Sequence, residues 1–163
     1  YPRAGSYVST EVNVSQPRLR SDFEYEKVSL SYNGYHSFGA DHVLAWRLNG
    51  QFVGGDPPFF VLPWLGTGAD LRGYTPGNYI GKGLIAGQAE WRWQATHRFG
   101  FVVFGGIASV FSGVEQFNSE HFLPAGGLGV RLRVTQTFRV NLRADMAWGK
   151  DDRTFTIAVG EAF

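Results

Sequence analysis

Apolar and polar residues alternate at period two along eight separate stretches of this chain, and that pattern leaves few folds open. Successive side chains of a strand point to opposite faces, so the alternation marks strands whose two faces meet different surroundings. The expected strands cover about residues 6–14, 24–32, 43–53, 84–94, 98–111, 128–134, 140–147 and 155–163. The third sets Leu44, Trp46, Leu48 and Phe52 against Arg47, Asn49 and Gln51, and the fourth sets Ala89, Trp91 and Trp93 against Gln88, Glu90 and Arg92. In the later strands Leu128, Val130, Leu132 and Val134 oppose Arg131 and Arg133, while Val140, Leu142, Ala144 and Met146 oppose Arg143 and Asp145. The fifth is apolar on both faces and dotted with small residues, as suits a strand whose inner side lies under a crowded interior. Asn33-Gly34 has the chemistry of a tight turn and is expected to join the second strand to the third.

Eight strands joined mostly by short turns make an antiparallel barrel or a sandwich. The polar face carries Glu11, Lys27, Arg47, Glu90, Arg92, Arg131, Arg143 and Asp145, mixed in sign, whereas the other face carries whole tryptophans and bare Val/Leu rows. A charged interior with an apolar exterior suits lipid, where every backbone N–H and C=O must be paired and a closed sheet removes the edge. The expectation is an all-β, antiparallel transmembrane β-barrel of about eight strands, forming a single domain over residues 1–163. Tryptophans near strand ends, Trp91, Trp93 and Trp148, read as interfacial anchors. Period two alone does not tell inside from outside, so a soluble lipid-carrier barrel with its apolar rows turned inward stays open as the alternative.

Composition narrows the function classes. Fifteen basic against fourteen acidic residues leave a net charge of +1, and the basic residues are scattered along strands, which argues against a nucleic-acid partner. Cysteine is absent, excluding thiolate sites. No run approaches eighteen unbroken apolar residues, so no membrane helix is expected, and a mean hydropathy of −0.16 is compatible with a barrel that hides half of each strand in a polar interior. Tyr1 opens the sequence without a basic or apolar leader, so a signal peptide is not expected within these residues. His36, His42, His97 and His121 stand alone near expected turns and build no metal site. Gly77 to Lys82 has the wrong spacing for a phosphate loop, and no G-x-S-x-G is present. No catalytic residue, metal or cofactor is expected, and the chain does not read as an enzyme.

One stretch breaks the hairpin pattern. From Gly54 to Gly81 the chain holds Pro57, Pro58, Pro63, Pro76 and seven glycines, which make a loop of roughly 28 residues. Loops this long are usually functional or disordered, and Trp64, Tyr74 and Tyr79 argue for an ordered one. Folded back inside a barrel, its single arginine, Arg72, would meet Glu90 on the inner face of the following strand, carboxylate against guanidinium fork. A solvated Arg72 is the plainer alternative.

Leu71-Arg72-Gly73-Tyr74 resembles the [VL]-R-G-[FY] loop motif of the Omp85 family, also called bacterial surface antigen or D15 barrels. The likeness runs on through Gly81, Glu90-Trp91-Arg92, Gly127 to Arg131, Leu142-Arg143-Ala144-Asp145 and Phe155 to Phe163, and back to Pro2-Arg3-Ala4-Gly5-Ser6. The resemblance implies an integral outer-membrane barrel of a Gram-negative bacterium that assists insertion or translocation of outer-membrane polypeptides. A passive anchor or structural barrel is the alternative. Family barrels have sixteen strands, and this chain resembles the C-terminal eight, without the POTRA domains. The resemblance makes Arg72, Gly73 and Tyr74 the loop motif, with Glu90, Arg143 and Asp145 as lumen partners. It makes Phe155, Ile157, Val159 and Phe163 a C-terminal signal read by the outer-membrane assembly machinery. Where the family often places Asp in a D-A-G triplet, this chain reads Gly106-Ile107-Ala108, so Arg72 is expected to lean more on Glu90. Partners implied are the lipid bilayer, assembly machinery, substrate polypeptides and, as one way to complete the barrel, a homodimer.

Overall fold

The computed structural model describes residues 2–16, 18, 22–67, 70–113, 122–133 and 141–163. Val134, Val140 and His121 lie outside these. The described residues form eight strands in one antiparallel sheet, ordered as in the sequence. They are β1 (Gly5–Ser15), β2 (Glu24–Phe38), β3 (His42–Asp56), β4 (Gly83–Trp93), β5 (Phe99–Phe111), β6 (Phe122–Arg133), β7 (Asn141–Trp148) and β8 (Arg153–Val159). Among the described residues no helix is long and apolar enough to cross a membrane.

The faces point as the charged rows demand. On β4, Trp91 and Trp93 are exposed at 42% and 47%, while Glu90 and Arg92, which alternate with them, are each 1% exposed. Leu48, Val103, Leu128, Phe155 and Ile157 stand on the same outer surface. A soluble carrier would turn these rows inward, so its geometry is not the one adopted.

The sheet is not a closed barrel. Among the described residues β1 pairs with β2 alone and β8 with β7 alone, leaving two free edges. The reason lies on the inner face. An eight-stranded barrel has room for little more than its own side chains, and here Leu65, Leu71 and Tyr74 of the β3–β4 loop already fill that space, packed with Leu84, Ala86, Ala108 and Leu123. The loop and the closure of eight strands compete for one volume.

The Asn33-Gly34 turn is a second correction. Both residues lie inside β2, opposite Arg47 and Trp46, and the chain turns instead at Gly39, whose φ is +66°. A Cβ on Gly34 would lie 2.2 Å from the Trp46 ring, so the glycine is there to let an indole lie across the strand. His36 and His42 sit at the ends of β2 and β3 that flank this turn, against Phe38 and the Trp91–Trp93 pair.

Candidate functional site

The loop motif reaches the inner face because of its backbone. Gly73 has φ +107°, a conformation that side chains strain, and a Cβ there would meet the Trp148 carbonyl carbon at 3.0 Å and Ala125 Cβ at 3.2 Å. Its neighbours then point into three different contacts. Leu71 enters the apolar cluster. Arg72 turns to the charged rows. Tyr74 donates its hydroxyl proton to the Pro124 carbonyl at 2.6 Å and accepts from the Lys150 amide at 3.1 Å. Pro124 lies where β6 runs past the end of β7, whose pairing begins at Gly126, so its carbonyl is free for the phenol. Burial pushes the Tyr74 phenol up from its ordinary pKa.

Arg72 is 4% exposed and every face of its guanidinium is used. Nη2 donates to Glu90 at 2.5 Å, Nη1 to Asp145 at 3.0 Å, and Nε to the Gln88 side chain at 3.1 Å. The plane lies 3.5 Å from the centroid of Phe104, a cation–π contact in a dry setting. Glu90 also accepts from Arg92 at 2.5 Å, while Asp145 accepts from Arg131 and, at 3.2 Å, from Arg143. Arg131 reaches on to Glu161 at 2.9 Å, which in turn accepts from Asn141 at 2.7 Å. Four guanidinium groups thus share three carboxylates in one connected network. Buried charges are tolerable only when paired and hydrogen-bonded in this way.

Gly106 offers no side chain to Arg72, and the space there is closed: a Cβ would come 2.3 Å from the Gly87 carbonyl oxygen and 2.7 Å from Leu71 Cδ1. Asp145 from β7 takes up the second carboxylate position beside Glu90, so the arginine leans on two strands rather than chiefly on one. Gln88, Phe104, Arg131 and Glu161 were not singled out from the sequence as partners of the motif. Inner-face parity flags Gln88 and Arg131, but only the strand register brings them to Arg72.

The loop is fixed at further points along its length. Asp70 accepts from Asn49 and Thr67, Lys27 donates to the Val61 carbonyl at 3.0 Å, and Asp152 accepts from the Thr75 amide at 2.6 Å. Hydrogen bonds from the Thr75 hydroxyl and amide hold the Asp152 carboxyl below the usual carboxylate range, although the group is exposed.

The expected C-terminal row divides. Phe155, Ile157 and Val159 are 66%, 64% and 72% exposed on the outer face. Phe163 does not continue that row. Gly160 bends the chain at φ +94°, so Phe163 comes to the inner face, where its carbonyl accepts from Arg92 at 3.0 Å and its ring lies 5.7 Å from the same guanidinium.

Among the described residues no group of three or more His, Asp or Glu side chains could hold a metal ion, and the buried carboxylates are consumed in ion pairs. The network's chemistry is mechanical: it clamps a loop to a sheet. No curated protein matches the chain. The model of the Omp85 superfamily domain matches residues 1–163, and the chain therefore belongs to the Omp85 superfamily.

Proposed function

We propose that this chain is the membrane-embedded sheet of an outer-membrane β-barrel in a Gram-negative bacterium, and that it assists the insertion or translocation of outer-membrane polypeptides. Membership of the superfamily points to an outer-membrane barrel. The observation that carries the finer reading is the combination of an outward apolar surface with two unpaired strand edges flanking a clamped loop. In a bilayer an unpaired edge is costly and recruits another strand. β1 and β8 run antiparallel in the meander, so each edge accepts a strand from a polypeptide in transit or from a second copy of this chain. The outward row Phe155, Ile157 and Val159 is a surface that assembly machinery would read. Insertion and transport need no covalent chemistry, and none is assigned to these residues.

A passive anchor or structural barrel is the second reading, favoured by the buried network that fixes the loop in one place. The two are separated by folding a second, unrelated barrel protein into vesicles with and without this chain already inserted. Faster folding in its presence supports the insertion role, with Val12→Pro on the β1 edge reducing the gain. An unchanged rate would leave the anchor as the function.

A further inference from the structure

The outer surface is not uniformly bulky. Leu48 stands opposite Gly87 and Gly50 opposite Ile85, so two glycines lie diagonally side by side on β3 and β4. They floor a groove of about 500 Å3, walled by Leu48, Ile85, Ile107 and Phe122. That volume is within the rough range of 300–1,000 Å3 for small-molecule sites. Each backbone group beneath it is engaged in the sheet ladder, so the floor offers an occupant nothing polar.

Two side-chain hydroxyls border this apolar trough, that of Tyr32 on β2 and that of Ser109 on β5, and the second is the buried one. Ser109 of β5 is paired with Ile85 on one side and Phe122 on the other, which places its side chain on the outer face among the groove walls. It is 2% exposed, and its hydroxyl has no hydrogen-bond partner among the described residues. An unpaired hydroxyl buried in apolar surroundings is costly and is normally satisfied. Its depth is informative. Two residues further along β5, Phe111 packs against Phe52 at 6.2 Å, forming the aromatic rim at the loop end of the sheet, while Phe38, Trp91, Trp93 and Phe101 form the opposite rim. Aromatic rims sit at the headgroup level, and two residues of strand are about 7 Å. Ser109 therefore lies just inside the rim, where headgroups give way to acyl chains.

We propose that the groove seats one acyl chain of a glycerophospholipid, with the Ser109 hydroxyl donating to the ester carbonyl at the head of that chain. The proposal rests on the membrane reading above. It commits to a lipid ester because the groove is apolar, its buried unpaired donor lies at its rim-proximal end, and the whole face is continuous with the surface assigned to the bilayer.

The test starts with protein inserted into vesicles and checked for a heat-modifiable gel band, then compares lipid retained by native mass spectrometry after extraction. Diester and diether phosphatidylcholines of identical chains are the probes, since the diether lacks the carbonyl. The wild type should retain the diester in preference by roughly two- to tenfold, the worth of one hydrogen bond. Ser109→Ala should retain both lipids equally. Gly50→Val and Gly87→Val, whose Cβ atoms would press only on the Phe52 and Leu48 side chains at 3.3 and 3.2 Å, should lower retention of both. Equal retention of the two lipids by the wild type, or a preference undiminished in Ser109→Ala, would overturn the proposal. Failure to insert at all would instead overturn the membrane reading, so the two failures are distinct.

Discussion

The two halves of this sheet obey one alternation and yet have opposite interiors. Beneath the loop, β4 to β7 present Glu90, Arg92, Arg131 and Asp145, all at most 3% exposed and joined through Arg72. Beside the loop's other flank, β1 and β2 present Ser9, Glu11, Asn13, Ser29 and Ser31 around an open cleft of about 370 Å3, and β1 is exposed on both faces. The inner face of a charged strand becomes a dry core only where something covers it. In this chain the cover is a loop held by an arginine, and β1, at the far edge, is exposed along nearly all its length and paired on one side only.

The contrast is sharpest at Asp145. It faces Arg72, Arg131 and Arg143 together, so Asp145→Ala should destabilise the inserted protein by about 3–5 kcal/mol, the usual result of leaving a buried charge uncompensated. Urea unfolding in vesicles would measure it. The matching removal in the open half, Glu11→Ala, should stay within about 0.5 kcal/mol because that side chain is solvated. Comparable losses at the two sites would break the comparison. Gly73→Ala comes next: a positive φ and a close approach to Trp148 should together cost about 1–3 kcal/mol and release the loop to protease. Tyr74→Phe should cost about 1 kcal/mol by orphaning the Pro124 carbonyl, in the same unfolding assay.

The smallest effect expected is one of acidity. Asp152 has a carboxyl held below its usual range by Thr75, so its contribution is fully present above the ordinary carboxylate pKa and is lost as pH falls through the lowered one. Protease nicking of residues 57–82 should therefore rise in that acid window in the wild type, and Asp152→Asn should show the raised nicking already at neutral pH. A wild-type nicking rate that is flat across the window would remove Asp152 from the loop's attachments.

Much of this was legible in the residues. Period two set the eight strands and their faces, and the charge on one face set which of them turned inward. The juxtaposition of Arg72 and Glu90 was within reach because both the loop motif and the parity of β4 are local. Asp145 and Glu161 lie 73 and 89 positions from Arg72, and their convergence depends on register between strands, which no local pattern encodes. Asn33-Gly34 misled because one dipeptide serves two ends: it suits a tight turn, and a glycine in mid-strand equally suits a cross-strand indole. Parity carried Phe155 to Val159 correctly to the outer face and failed at Phe163, because a single left-handed glycine at position 160 resets the side from which later residues project. Closure was overestimated for a physical reason too, since an alternation pattern counts strands without counting what lies between them.

The central claim is that the apolar face meets lipid while the charged face is covered from within. The most direct measurement is gel mobility with and without boiling, after folding in detergent or lipid vesicles and, in parallel, in plain buffer. The account predicts a faster-migrating, heat-modifiable band only where lipid or detergent is present. A compact, monomeric, heat-modifiable form in plain buffer would contradict it, because the exposed rows from Trp91 to Ile157 would then be facing water.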